Sequence, residues 1–136
     1  MIVVARSLVV ALVLLVAGCV AVPVAERDPV AAAFRDHRSD IQVTATGTVT
    51  RILTDDDGPR GAHQRFILQL VGSQQTILVL NNLTVGRRVP LRVGDTVKVH
   101  GEYIWNEQGG LVHFTHHDAD RSHEGGWIEH AGVRYE

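Results

Sequence analysis

Five of the chain's eight histidines, His113, His116, His117, His123 and His130, fall between residues 113 and 130, with Asp118, Asp120 and Glu124 among them. Imidazole nitrogens and carboxylate oxygens together suit zinc, copper, nickel or iron. The same groups serve as general acids and bases near neutral pH. His63 lies further back, after the acidic run Asp55-Asp56-Asp57. His63, His113, His117, Asp118 and His123 form the candidate metal set, for a divalent transition metal such as zinc. His63, Arg65, Asn82 and Thr115 form the candidate set for another ligand.

The pattern matches no established zinc spacing. HExxH is absent, and the single cysteine, Cys19, is far from the histidines. The competing reading is a hydrogen-bonded framework that ties the C-terminal tail to the domain, and for His37, His100 and His130 taken singly that reading is preferred. The aspartate run lacks the spaced ligands of an EF-hand loop, so a solvated turn is favoured over a calcium site. Asn81, Asn82, Arg87 and Arg88 are candidates for an anionic ligand, against a plain surface role. An activated serine elbow, a nucleophilic cysteine and a glycine-rich phosphate loop are all missing.

Strands must carry these groups. Ile41, Val43, Ala45, Gly47 and Val49 alternate with Gln42, Thr44, Thr46, Thr48 and Thr50, the period of a half-buried strand. Composition makes Asp55 to Gly61 a loop. Further strands are expected over Arg65–Val71, Gln75–Leu80, Thr96–Trp105 and Leu111–Thr115, with an extended tail through Trp127, Ile128 and Tyr135. Residues two apart share a strand face, so His113, Thr115 and His117 are expected together, with His116 on the core side. Asp28 and Pro29 open a short helix, as N-cap and first helical residue.

The fold class is mainly β: a five-stranded OB-fold-like barrel with a short leading helix and an extended C-terminal tail, although another small β-barrel or a split sandwich gives the same string of strands and periodicity does not choose between them. In such a barrel the loops β1–β2 and β4–β5 flank the ligand face, which brings His63 towards His113, His117 and His123. Gly47 and Gly101 sit mid-strand, where tight curvature favours glycine.

Residues 1–18 carry one arginine and a continuous apolar run from Leu8 to Val16. That run is shorter than the roughly 20 residues of a membrane span and suits a signal peptide. Val16-Ala17-Gly18-Cys19 resembles a bacterial lipobox. The expected organisation, preferred over an uncleaved signal anchor or an ordinary secreted protein, is a lipoprotein signal over 1–18, a tether over 19–27 after a lipidated Cys19, and the OB-like domain over 28–136. Cys19 would anchor the protein outside the cytoplasm, and by Gram-negative sorting rules Val20 favours the outer membrane, facing the periplasm. The partners expected are the membrane, through this anchor, and an envelope protein or small ligand. A formal charge of −2 offers no basic surplus for a phosphate backbone and argues against nucleic acid.

His63-Gln64-Arg65-Phe66, Asn82, Gly101 to Asn106, Gly109-Gly110, His113-Phe114-Thr115-His116-His117-Asp118, His123 and Gly126-Trp127-Ile128 together resemble a bacterial family, domain of unknown function 3465. The resemblance runs from about Phe34 to Tyr135. Phe114 stands where it implies tryptophan, and Ala119 where it implies proline. It implies an OB-like barrel and no established activity. The functions that follow from the residues are a binding module for a metal ion, an oligosaccharide or a protein; a metal-dependent or histidine-based hydrolase of a phosphoester-type bond; and a structural envelope protein without a ligand.

Overall fold

The computed structural model describes residues 28–136. The expected signal peptide, Cys19 and the tether lie outside these residues. Helix α1 spans Pro29–Arg35. The Asp28 carboxylate accepts from the backbone N–H of Val30 at 2.8 Å and of Ala31 at 3.2 Å, supplying partners that the first helical turn lacks. Val30 and Ala33 are buried, and Phe34 packs near Trp105, whose indole N–H donates to the Phe34 carbonyl at 3.1 Å.

Seven strands follow: β1 Ile41–Gly58, β2 Gly61–Leu70, β3 Thr76–Asn82, β4 Thr96–Ile104, β5 Leu111–His113, β6 Trp127–His130 and β7 Val133–Tyr135. The first half of β1 pairs with β4, from Ile41↔Tyr103 to Thr48↔Thr96, and the second half pairs with β2, out to Gly58↔Gly61. β2 pairs with β3, β3 with β5 in parallel, and β5 with β4, so hydrogen bonds run round a ring β1-β2-β3-β5-β4-β1. The fold is mainly β and barrel-like. Inward-facing Val43, Ala45, Val49, Phe66, Leu68, Leu70, Ile77, Val79, Val97, Val99, Tyr103, Val112 and Ile128 fill the ring. Burial pushes the Tyr103 phenol above the usual tyrosine range, and its hydroxyl donates to the Gly109 carbonyl at 3.0 Å. At Gly47 and Gly101 the chain passes so close to the Gln69 and His113 carbonyls that a Cβ would collide with them, so close approach calls for glycine at both positions.

Three expectations change. Asp55 to Gly58 are strand rather than loop, and the β1–β2 connection is only Pro59-Arg60. Asp56 and Asp57 stay extended because they pair with His63 and Ala62 of β2, beyond a register shift that leaves Asp55 without a partner on that strand. β2 therefore starts at Gly61, four residues early. The fifth strand ends at His113, because Phe114 adopts φ 53° and breaks the alternation. The tail is a hairpin, β6–β7, that pairs with the half of β4 that β5 leaves open, Val97 to His100.

One feature of the layout sets direction. β3 begins beside α1, where Thr76, Phe34 and Gly109 line one hollow, and it ends at Asn82, beside the β1–β2 turn.

Candidate functional site

Asp56, His63 and Asn82 stand directly opposite one another on β1, β2 and β3. Directly paired residues point to the same side of a sheet, so the three form a row. The row borders a cleft of about 180 Å³ that Arg60, Leu80, His113, Phe114 and His116 also line. His63 and His113 therefore do meet across one small volume, as expected from the two flanking loops.

The kink at Phe114 decides the rest. The rings of His113 and His123 each stack on Phe114 with centroids 4.0 Å away, at interplanar angles of 21° and 9°. Two rings cannot share one face at that separation, so the phenyl ring is covered on both sides and offers no free face for stacking. His123 thus sits behind Phe114, turned away from His113. His116 meets His123 edge-on, 5.0 Å between centroids. His117 is exposed. The Asp118 carboxylate accepts from the His123 N–H at 2.7 Å and the Asp120 N–H at 3.2 Å. The His123 N–H first, then Asp120 and the nearby Ser122, hold this carboxyl below its usual range. The five-residue metal set is therefore dispersed: two members in the cleft, one behind a phenyl ring, one on the surface and one capping a turn. Among the described residues, no three His, Cys, Asp or Glu side chains lie close enough together to hold a metal ion.

Three ligand candidates are also employed by the fold. Thr115 does not share the face of His113: it is buried at 1 % exposure and its hydroxyl donates to the Leu80 carbonyl at 3.1 Å. The Arg65 Nε donates to the Thr54 carbonyl at 2.8 Å. Asn82 lines the cleft, but its amide donates to the Arg60 carbonyl at 3.3 Å and accepts from the Thr84 N–H at 2.8 Å. Of the anion candidates, Asn81 is a buried clamp that donates to the Gln64 side chain and the Arg87 carbonyl. Arg87 donates to the Arg134 carbonyl at 2.8 Å, and Arg88 is ion-paired with Asp55.

The ring nitrogens sort the histidines further. A carbonyl or carboxylate only accepts, so the nitrogen facing it carries the proton, and the other nitrogen of the neutral ring keeps its lone pair. His113 Nε2 donates to Glu102 Oε1 at 3.1 Å, His116 Nδ1 to the His117 carbonyl at 2.8 Å, and His123 Nδ1 to the Glu124 carbonyl at 2.7 Å. His116 is on the core side as expected, at 7 % exposure. Sequence reasoning missed Asp56 and Arg60, which it placed in a loop, and Glu102, whose pairing with His113 depends on the β4–β5 register.

These features define a mainly β, ring-closed domain with an imidazole-lined cleft at one end of its β1–β2–β3 face. The family described as Protein of unknown function (DUF3465) matches residues 12–136, and the chain belongs to it. Among curated proteins none matches the chain.

Proposed function

We propose that the protein is an envelope binding module, held to the membrane by an acylated Cys19, that takes a small polar ligand in the cleft of His63, His113 and His116. The observation that carries this reading is the alignment of Asp56, His63 and Asn82 across three strands, facing Arg60 and two further imidazoles. The pairing order supports an OB-like barrel, in which the β2–β3 face and the loops β1–β2 and β4–β5 form the binding surface. A soluble metal is a weaker occupant, because the donors are dispersed.

The test is a titration of the full chain with acetate, phosphate, D-glucose, D-glucuronate and L-glutamate, followed by backbone amide shifts. At least one solute should give saturable shifts confined to residues 56–63, 80–82 and 113–116, and His63→Ala should weaken them. Absence of such shifts for all five would refute the reading. The anchor is tested separately: labelled palmitate should enter the protein and fail to enter Cys19→Ser.

Hydrolysis of a phosphoester-type bond is a second reading, favoured by the Glu102–His113 pair. A carboxylate that holds imidazole in one tautomer is the arrangement of a general base. It ranks second because OB-like barrels serve chiefly as binding scaffolds, an argument from fold alone. Turnover of a generic phosphodiester, lost in His113→Ala, would promote it.

A further inference from the structure

The hydrogen-bonding groups around the cleft narrow the chemistry of its occupant. His116 has spent its Nδ1 proton on the His117 carbonyl, and His113 its Nε2 proton on Glu102. In its neutral form each ring keeps one lone pair, His116 at Nε2 and His113 at Nδ1. The Asp56 carboxylate is also acceptor-only. Three acceptors thus border the cleft from three different elements: β1, β5 and the segment after β5. They call for donors spread over the ligand, as hydroxyls on a ring are spread, rather than the donors of one ammonium group.

Arg60 supplies the opposite demand. It is exposed at the tip of the β1–β2 hairpin and makes no ion pair within 4 Å among the described residues. Its planar fork of donors matches a carboxylate with two parallel bonds. Asn82 drops out of the inventory, since both ends of its amide are engaged. Leu80 and the rim of Phe114 add an apolar wall. With both phenyl faces covered by His113 and His123, a flat heterocycle such as a nucleobase finds no free face of Phe114 to stack on.

Building on the reading of this cleft as a ligand site, we propose that its occupant is an acidic sugar unit of the uronic acid type. Its carboxylate faces Arg60, its hydroxyls donate to His113, His116 and Asp56, and its C–H face lies against Leu80 and Phe114. A bare phosphate or acetate offers the anion without the ring of donors, and a neutral hexose offers the donors without the anion.

The experiment is a calorimetric titration of the full chain with D-glucuronate, D-glucose, acetate and L-glutamate. D-glucuronate should bind at least tenfold tighter than any of the other three. Arg60→Ala, a change at an exposed turn, should weaken D-glucuronate about tenfold or more and leave D-glucose unchanged, and Arg60→Lys should restore part of the loss. Glucose binding as tightly as glucuronate, acetate or glutamate matching it, or an indifferent Arg60→Ala would overturn the sugar assignment while leaving the cleft a ligand site. If none of the solutes shifts the cleft amides, the broader reading falls as well.

Discussion

Two groups of histidines in this small domain are held in opposite ways. On the β4–β6 side, His100 has both nitrogens occupied: Nε2 donates to Glu124 at 3.3 Å and Nδ1 accepts from the Thr44 hydroxyl at 2.8 Å. Its ring stacks on Trp127, and the guanidinium of Arg134 lies 4.1 Å from the centre of that indole. At the cleft, His113 and His116 each have a single nitrogen fixed, and His63 projects from the middle of the Asp56–His63–Asn82 row. A histidine satisfied at both ends is a brace. A histidine fixed at one end is oriented, with its other nitrogen available. The residue type is the same; the difference lies in what stands across the sheet.

The sharpest way to break this contrast is at Gly126, which belongs to both regions. A Cβ there would collide with the carbonyls of Phe114 and His100. Gly126→Ala should cost about 3 kcal/mol, read as a lowered denaturant midpoint, and should disturb amides on both sides. Next in size is His100→Ala. Losing two hydrogen bonds and the packing on Trp127 should cost about 1–2 kcal/mol, while ligand shifts at the cleft stay unchanged. If stability is unaffected, His100 is not a brace.

A smaller, local effect belongs to Asp118. Its carboxyl is held below its ordinary value of 3.8, chiefly by the His123 N–H. A depressed pKa in the folded state means that the stabilisation is present above the ordinary value and is lost as pH falls through the lowered one. Amide exchange at His123 should therefore stay slow through pH 4 and accelerate at lower pH, whereas in Asp118→Asn it should be fast already at neutral pH. The smallest effect is expected of His63→Ala: stability within about 0.5 kcal/mol of the original, with ligand binding weakened. A large loss of stability there would make His63 a brace like His100.

The period-two alternation made the first half of β1 legible in the sequence, β3 and β4 lie within two residues of the strands expected there, and the Asp28-Pro29 signal placed α1. Two features were hidden for physical reasons. Three successive aspartates have poor strand propensity, so Asp55–Gly58 reads as a turn; the pairing that keeps it extended comes from β2. A phenylalanine at φ 53° has no sequence signature, yet that one residue moves Thr115 into the core and sends His123 behind the ring. His63 and His113 could be brought together from loop positions alone. Glu102 and Asp56 needed the register.

The two ends of β3 carry a spatial consequence. Were Cys19 acylated as proposed, residues 19–27 could span at most about 30 Å, and α1 would stay within that distance of the bilayer. β3 then runs on for about 20 Å before it reaches Asn82 and the imidazoles. On that proposal the cleft stands a full strand length beyond the tethered end of the domain, so a ligand could reach it without first meeting the bilayer.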